Sequence, residues 1–572
     1  MLLCTALTTP LGAQLEDNVW VFGYRYTDQA LANGIYFNFG DSLTINYSPK
    51  PMSLSDSYAS ICDSSGVLLL LSNGCYIETG AGEYIENSYG LNPGYLSGVH
   101  CYDDSSGYNI PQNMLMLAEP GSSTKFHLFH IRHSFDGQTA FLDDLLHTVV
   151  DMSVNNGEGM TIYKNQVLIN DSIDGDGIHA VRHANGRDWW VVVAKYLSNT
   201  YYTILFTPEG ITIQKQIIGL PNPTGAFGEM LFSPDGTKLA RFNAKDDLRI
   251  FDFDRCTGIL SNPLYIPIED DADNSIIAGL AFSADGRYLY AAEVRRLLQF
   301  DMLAPDIAIS KTIVAERIIN PDCSLGSSIG FLELGPDGRI YCRPGSGQSC
   351  MHRLARPELP GAAADFIQYY YMLDFSYDNL PHFPNFRLGP VDGSPCDTLG
   401  IDNHPLAGWR YDRTGGLGVD FTSVSWYEPT EWLWDFGDPA SGGANGSAER
   451  NPSHAFSAPG AYPVCLTVSN QYGSDEKCKT VWVSTTGSSS PQSAAEVRIY
   501  PNPTKGEVRW SGLPVGEEVR VRVSNSVGTT VLEQKTSEQS IELHQLLPGL
   551  YYLQLQSNSS RILTAKVLLL KE

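Results

Sequence analysis

The chain has 572 residues, with 64 acidic against 38 basic side chains and a formal net charge of −26. This balance argues against a nucleic-acid-binding protein, because affinity for phosphates comes largely from lysine and arginine. Charged residues make up only 18% of the sequence, while 53 glycines, 30 tyrosines and 9 tryptophans supply turns and strands. The composition therefore indicates a folded, strand-rich protein and excludes a disordered one, and the length predicts about three to four domains.

The first segment, residues 1–13, is apolar and ends in Leu11-Gly12-Ala13 before Gln14. This pattern predicts a signal peptide for export, and because the usual basic segment is missing we expect it to be truncated. The alternative is an ordinary first strand. No other stretch reaches the ~18 apolar residues that a transmembrane helix needs, so we expect no membrane span.

The middle of the chain, residues 14–390, repeats a short pattern. Its clearest copies are an apolar strand followed by an Asp-Gly turn, at Asp235-Gly236, Asp285-Gly286 and Asp337-Gly338. The first two glycines are 50 residues apart and the last two are 52 residues apart. Glycine after aspartate supplies the positive φ that a tight hairpin needs. A period near 50 residues with about three or four strands per unit predicts an all-β fold, the β-propeller.

Looser copies extend the pattern towards the N-terminus. We expect turns at Asn33-Gly34, Ser65-Gly66, Gln112-Asn113 and Asn185-Gly186, each followed by an apolar strand. With the three clear copies they make seven units. We therefore predict a seven-bladed propeller, with six or eight blades as alternatives. The spacing stretches after Asn113, where we expect a loop insertion over residues 136–178.

Three segments of the repeat region, residues 183–190, 251–258 and 380–389, also resemble secreted propeller proteins of Bacteroidetes. The resemblance implies the fold and an extracellular origin. It implies no particular reaction.

One segment within the repeats is rich in oxygen ligands. Asp171, Asp174 and Asp176 have the short spacing of calcium loops, although the glutamate that an EF-hand requires is missing. We interpret this segment as a solvated turn, and calcium at these three residues is the alternative and the one candidate cofactor.

Candidate catalytic residues are scarce. Residues 326–330 match the Gly-x-Ser-x-Gly pattern, but they lead into a blade strand where that motif needs a helix, so we expect a coincidence. His179 and His183 are interpreted as structural residues between blades. The sequence has no Walker, Rossmann or His-Glu-x-x-His pattern. We assign no catalytic residue, and enzymatic activity stays open as the less favoured hypothesis.

The sequence contains eleven cysteines, of which removal of the signal peptide leaves ten in a chain that meets an oxidising compartment. No cysteine and histidine set has zinc spacing. Two pairs face each other across predicted hairpins, and we predict disulfides at Cys342 with Cys350 and at Cys465 with Cys478. The connectivity of the other cysteines stays open.

A connector over residues 391–407 precedes a second domain at residues 408–484, whose strands predict a β-sandwich of immunoglobulin size. Residues 432–438, 451–456 and 460–468 resemble the motifs of the PKD domain, except for Pro439, where the family usually has glycine. The resemblance implies a spacer or a module that binds glycan or protein. Residues 485–495, rich in serine, threonine and glycine, predict a flexible linker.

The last segment, residues 496–572, predicts a small all-β sandwich of short alternating strands. The order of its turns resembles the C-terminal sorting domain of proteins exported by the type IX secretion system of Bacteroidetes. The matching positions are Pro501, Asn502, Pro503, Gly506, Gly549 and Tyr551. The resemblance implies an export address that the type IX secretion machinery handles and that has no chemistry of its own.

These features together predict a protein that is exported through the periplasm and is secreted or held at the outer-membrane surface. The leading hypothesis is a binding or adhesion protein whose propeller presents a surface to an extracellular glycan or protein ligand. The first alternative is a surface enzyme that degrades glycans or peptides in the propeller channel. Acidic or histidine side chains converging in the channel would favour it. The second alternative is a structural component of the surface layer.

Overall fold

The computed structural model describes residues 14–24, 32–103, 107–108, 110–135, 140–222, 227–243, 245, 247–268, 278–320, 328–345, 347–484, 498–500, 506–511, 519–525, 530–538, 540–546, 549–557 and 562–569. The predicted signal peptide lies outside these residues. The chain divides into two compact units, residues 1–412 with 419–483, and residues 484–572 with 413–418. None of the described helices has the length and hydropathy that crossing a bilayer requires.

Seven antiparallel sheets follow one another in the first unit and confirm the seven-bladed propeller. Blades 1 and 2 each have three named strands and blade 3 has four. Their strands are β1 (Val19–Phe22), β2 (Ala32–Phe39), β3 (Leu43–Lys50); β4 (Ala59–Cys62), β5 (Leu68–Ser72), β6 (Ile77–Thr79); β7 (Met114–Ala118), β8 (Lys125–Phe135), β9 (Ala140–Asp151) and β10 (Met160–Ser172).

Blades 4 to 7 are four-stranded meanders. Their strands are β11 (His179–Arg182), β12 (Trp189–Ala194), β13 (Thr200–Thr207), β14 (Gly210–Ile217); β15 (Gly228–Phe232), β16 (Lys238–Asn243), β17 (Asp247–Asp254), β18 (Ile259–Ile266); β19 (Ala278–Phe282), β20 (Tyr288–Glu293), β21 (Arg296–Asp301), β22 (Thr312–Glu316); β23 (Leu332–Leu334), β24 (Ile340–Cys342), β25 (Gln348–Leu354) and β26 (Phe366–Tyr377). Short helices lie at Tyr95–Ser97 (α1), Gly98–Asp103, Asn155–Gly157 and Gly361–Ala364.

The first strands of blades 2 to 7 surround the central channel, and contacts join β4 to β7, β11 to β15, β15 to β19 and β19 to β23. Because successive strands are antiparallel, the turns after these first strands all lie at one end of the propeller, which we call the turn end. The turns after the second strands lie at the other end, the loop end.

The predicted Asp-Gly turns lie at the turn end. Gly236 has φ of 70° and Gly286 has φ of 71°, and each glycine amide donates a hydrogen bond of 2.8 Å to the carbonyl of the serine three residues earlier. One of the looser turns was placed wrongly, because Gly34 lies inside β2, paired with Ser48. Gln112 does lie in a turn, with φ of 55°, and β7 follows it as expected. This turn precedes the first strand of blade 3, and the turn after that strand contains Gly121, with φ of 79°.

The predicted loop insertion at residues 136–178 is also wrong. Most of this stretch forms β9 and β10, which have 12 and 13 residues and are the longest strands of the propeller together with β26. The register between them shifts at several positions, so bulges absorb the extra length. The extra residues of blade 3 therefore lengthen its strands and do not form a loop.

Aromatic side chains join blade 1 to blade 7. Trp20 on β1 lies 5.2 Å from the ring of Tyr341 on β24, and Phe22 lies 5.1 Å from the ring of Tyr377. All four of these side chains are buried. Packing of buried aromatic rings therefore contributes to closing the ring of blades.

The PKD sandwich consists of two sheets, β27-β28-β31 and β30-β29-β32-β33. The strands are β27 (Trp409–Gly415), β28 (Gly418–Ser423), β29 (Glu431–Asp435), β30 (Gly446–Ser447), β31 (Ser453–Ala455), β32 (Gly460–Asn470) and β33 (Gly473–Val483). Trp409 and Trp434 meet in its core with ring centroids 5.5 Å apart. The insertion that begins at Pro439 forms a short helix, Pro439–Asn445.

The PKD sandwich packs on the turn end of the propeller, within the same compact unit. The buried Arg410 of the sandwich binds Glu358 of the propeller through two hydrogen bonds of 2.8 and 2.9 Å. Arg339, next to the Gly338 turn, binds Asp412 at 2.8 Å. These ion pairs are largely shielded from water, so they fix the two domains against each other more firmly than surface pairs would.

This interface gives a testable prediction. Replacing Arg410 by alanine leaves Glu358 without its cation, and we expect the PKD sandwich to unfold separately from the propeller and at a lower temperature. Differential scanning calorimetry would show two transitions in place of one, and the connector would be cut faster by protease. The exposed Arg450→Ala is the matched control. Equal behaviour of the two variants would contradict a rigid interface.

The second unit is the C-terminal sandwich. Its sheets are β34-β35-β38 and β37-β36-β39-β40, from the strands β34 (Arg498–Tyr500), β35 (Glu507–Ser511), β36 (Val519–Asn525), β37 (Thr530–Thr536), β38 (Ser540–Glu542), β39 (Gly549–Ser557) and β40 (Ile562–Leu569). Gly506 lies so close to His544 that a Cβ there would collide with the ring. Gly549 begins β39 and Tyr551 is buried on it. The predicted positions Pro501, Asn502 and Pro503 lie outside the described residues.

Three disulfides lie within the described residues: Cys75–Cys101, Cys256–Cys396 and Cys465–Cys478. The predicted Cys342–Cys350 pair is wrong. Cys342 is a free buried thiol that lies opposite His352, whereas Cys350 lies opposite Met372. Cys342 and Cys350 are therefore diagonal neighbours and too far apart to be joined. Cys350 is disulfide-bonded, and Cys342 is not its partner.

A buried histidine in blade 3 predicts acid sensitivity. The ring nitrogens of His130 lie 2.7 Å from Asn92 Oδ1 and 2.9 Å from Thr148 Oγ1, and burial, followed by the nearby His147, lowers the pKa of His130 to about 3. The neutral form stabilises the fold fully above the unfolded pKa of about 6.5, and this stability is lost as pH falls below it.

We expect His130 to contribute a slope of up to about 1.4 kcal/mol per pH unit to the free energy of unfolding between pH 6 and about 4. Urea unfolding at several pH values would show a smaller slope for His130→Gln than for the unsubstituted chain. The exposed His404→Gln should retain the full slope. An unchanged slope in His130→Gln would contradict the prediction.

Candidate functional site

The channel of the propeller is crossed by residues 379–390, which we call the closing segment. The His382 Nε2 atom donates a hydrogen bond of 2.9 Å to the carbonyl of Ile178, at the start of blade 4. The Asn385 Nδ2 atom donates one of 2.8 Å to the carbonyl of Pro234, at the turn end of blade 5. The segment therefore runs through the channel towards the turn end.

The closing segment also takes the innermost position of blade 1, because β1 does not have the orientation of the other innermost strands. Asp17, just before β1, lines the same cavity as Pro234 and Pro336, which follow the first strands β15 and β23. The strand β1 thus begins where the other innermost strands end, and it runs in the opposite direction. The buried guanidinium of Arg387 binds Asp17, with Nη1 2.7 Å from Oδ2, and holds the closing segment beside β1.

A cavity of about 80 Å³ remains beside the closing segment. Its walls come from the ends of β15, β19 and β23, from the closing segment and from Trp426 of the PKD sandwich. Pockets for small organic ligands are commonly about 300–1,000 Å³, so this cavity has room for water or an ion but not for a sugar or peptide. Its polar lining includes Gln112, His179, Glu333 and His382.

Two glutamates lie deep in the channel. Glu229 accepts hydrogen bonds from Gln112 Nε2 and from the main-chain amide of Leu280, and burial raises its pKa well above the usual range. Glu333 accepts a hydrogen bond from the amide of Phe383, and burial, followed by the charge of Glu229, raises its pKa in the same way. Both carboxyl groups therefore hold protons more tightly than exposed glutamates do.

Two histidines face each other near these glutamates. The rings of His179 and His382 have centroids 4.8 Å apart in an edge-on arrangement. Burial lowers the pKa of His382 to about 4 and that of His179 well below its usual value, so both rings are neutral at pH 7. Since His382 Nε2 donates to a carbonyl, its Nδ1 atom can only accept.

Sequence analysis noted His179 as structural and missed the two glutamates and His382. A signal for Glu333 existed in the repeat itself. In the aligned copies its position is taken by Leu231 and Ala281, so a carboxyl group replaces an apolar side chain on an innermost strand. A charged residue at a position whose repeats are apolar indicates a special environment.

The predicted calcium residues do not converge. Asp171 binds Lys195 at 2.7 Å and accepts a hydrogen bond from the hydroxyl of Tyr202. Asp174 and Asp176 instead both bind Arg241, whose side chain is only 1% exposed. The oxygens of these aspartates face basic side chains, and calcium at this place stays a prediction.

The Gly-x-Ser-x-Gly match has a structural role in the part that the structure describes. The hydroxyl of Ser328 donates to the carbonyl of Pro344, and His352 hydrogen-bonds the carbonyl of Ser328 at 3.0 Å. The serine leads into β23 and not into a helix, as a nucleophile of this motif would.

Comparisons with protein families match two parts of the chain. The family described as PKD domain matches residues 416–485, and the family described as secretion system C-terminal sorting domain matches residues 498–569. The predicted PKD and type IX sorting domains are thus confirmed. No curated protein sequence matches the chain.

Several solved structures resemble parts of the fold. The PKD1 domain of Vibrio anguillarum Epp is 28% identical, covering 14% of this chain and 93% of its own, with a TM-score of 0.12. A protein from Lactobacillus plantarum is 13% identical, covering 64% and 97%, with a TM-score of 0.37. PorZ, a surface component of the type IX secretion system of Porphyromonas gingivalis, is 11% identical, covering 96% and 81%, with a TM-score of 0.23. At such TM-scores these similarities carry no information on function.

The family matches and the propeller define the class of protein. The chain is a secreted multidomain protein with a β-propeller, a PKD domain and a sorting domain. The sorting domain directs it through the type IX secretion machinery to the cell surface or the medium.

Proposed function

We propose that this exported protein is a surface binding protein that engages a glycan or protein ligand through loops at the loop end of its propeller. The main observation in favour is the filled channel. The closing segment and the PKD sandwich occupy the turn end, and the remaining cavity of about 80 Å³ is too small for a sugar or peptide. A large ligand is therefore better accommodated on the outside of the propeller.

An aromatic pair at the loop end is a candidate contact surface. Tyr95 in α1 and Phe135 at the tip of β8 stack with centroids 5.2 Å apart, and they are 66% and 37% exposed. The Cys75–Cys101 disulfide ties the segment that contains Tyr95 to blade 2. Exposed aromatic rings held in a fixed position are typical of surfaces that bind sugars or proteins with little loss of entropy.

A binding screen tests this proposal. The full oxidised chain would be immobilised and tested against surface glycans and extracellular proteins, following both retention and product release. For a retained ligand, we expect Tyr95→Ala and Phe135→Ala to weaken binding at least tenfold, as loss of a central aromatic contact does. Leu303→Ala, equally exposed but at the turn end, should bind normally. Unchanged binding in both aromatic variants would refute the contact surface.

A second candidate is a surface hydrolase, and one observation favours it. The carboxyl groups of Glu229 and Glu333 and the rings of His179 and His382 gather in the channel, as acid–base catalysis would need. The small cavity stands against it. Product release that disappears in Glu333→Gln would favour this candidate, whereas retention without product favours the binding protein.

A further inference from the structure

We propose that the channel cavity is a binding site for one small divalent cation, held by the Glu333 carboxylate, Gln112 Oε1 and His179 Nδ1. This site is distinct from the predicted calcium residues, which lie at the end of β10 and in the loop that follows it. It is also independent of the ligand that the loop end would bind.

Two buried polar atoms face the cavity without a partner. Gln112 is 6% exposed, and its Nε2 atom donates to Glu229, so its Oε1 atom is left as a free acceptor. The Nδ1 atom of His179, a residue 5% exposed, is also unpartnered. Buried polar atoms nearly always have a hydrogen-bond partner or a ligand. Two unpartnered atoms in one cavity therefore indicate that the cavity binds an ion or a small molecule.

The groups around the cavity are acceptors. Glu333 lines it with a carboxylate, and His382, whose Nε2 donates to a carbonyl, presents only an accepting Nδ1 atom. Arg387 also lines the cavity, but both of its terminal nitrogens bind Asp17. An occupant that satisfies such a lining must bring positive charge or several donors.

Charge balance favours a divalent cation over water alone. Among the described residues, neither Glu229 nor Glu333 forms an ion pair, and Arg343 acts on Glu229 without a direct contact. Burial keeps protons on both carboxyl groups, and an ion of charge +2 would displace these protons and be compensated by the two carboxylates, which water cannot do. Carboxylate, amide oxygen and imidazole nitrogen are all ligands of divalent ions, and a cavity of about 80 Å³ leaves room for bound waters.

The test uses the full oxidised chain after treatment with a chelator. Calcium and manganese would be titrated separately by calorimetry, and the melting temperature would be followed in parallel. We expect one equivalent of at least one of these ions to bind and to raise Tm by several degrees at a hundredfold excess over Kd, because the ion binds only the folded state. Manganese in crystals should give an anomalous peak inside the cavity.

Variants locate the site. We expect Glu333→Gln to weaken binding at least tenfold while its metal-free form melts at the same temperature as the metal-free unsubstituted chain, since glutamine has the shape of the neutral carboxyl group. An unchanged melting temperature of the metal-free form separates a lost ligand from a damaged fold. His179→Gln should also weaken binding, and the matched control Asp171→Asn should not. Absence of binding at millimolar ion, unchanged affinity in Glu333→Gln, or loss of binding in Asp171→Asn would each overturn the proposal.

Discussion

Replacing Arg241 by alanine should lower the free energy of unfolding by about 3–5 kcal/mol, because it leaves two buried aspartates without their cation. Arg241 contacts Asp174 at 2.9 Å and also binds Asp176, and all three side chains are almost completely buried. Burial raises the pKa of Asp176 to about 7. The charge of Arg241 opposes this rise, and the charge of Asp174 adds to it. Without the arginine, protonation of both aspartates becomes the only way to remove their charge.

The Arg241 prediction has a pH signature. Destabilisation in Arg241→Ala should be smaller at pH 5 than at pH 8, because protons bind the orphaned carboxylates at the lower pH. Urea unfolding at both pH values measures it. The matched control is Arg287→Ala, which breaks the exposed pair with Asp301 and should change stability little. If both variants lost the same stability at pH 8, the buried cluster would have no special role.

Replacing Trp20 by alanine should cost about 3–5 kcal/mol and loosen the contact between the first and last blades. The indole is fully buried and packs against Phe39, Tyr341 and Phe383, which belong to blade 1, blade 7 and the closing segment. Its removal leaves a cavity at the point where the ring closes.

Two further tryptophan variants sharpen this prediction. Trp20→Phe should lose less stability, because it keeps most of the ring contacts and removes an indole N–H that has no hydrogen-bond partner. Trp482→Ala, at an exposed position of the PKD sandwich, should change stability little. Chemical unfolding followed by circular dichroism would rank the three variants. A Trp20→Ala variant as stable as Trp482→Ala would show that ring closure does not depend on this side chain.

The blades could be predicted where their turns carry a local signal. The Asp-Gly turns at Gly236, Gly286 and Gly338 identify three blades, because the positive φ is a property of the turn itself. Blade 1 lacks this signal at the predicted place, so the turn assigned to Gly34 was wrong, whereas Gln112 lies in a turn that precedes the first strand of blade 3. The predicted number of blades was still correct, because apolar strands do follow those positions.

The channel site depends on contacts that the sequence does not encode locally. Glu229, Glu333 and His382 meet only because three distant segments converge on one axis. The Arg410–Glu358 pair between the propeller and the PKD sandwich likewise joins residues that no motif connects. Local patterns report secondary structure, whereas side-chain pairs between segments require the assembled fold.

The closing segment also has a consequence for the timing of folding. Arg387 and Asp17 are 370 residues apart in the chain, so the contact that completes the ring cannot form until nearly the whole propeller has been synthesised. Such long-range contacts raise contact order and slow folding. Until this contact forms, the blades lack the interaction that completes the ring, and apolar surface and strand edges that the closed ring buries are exposed to aggregation. A chain that ends before the closing segment should therefore remain permanently in that vulnerable state.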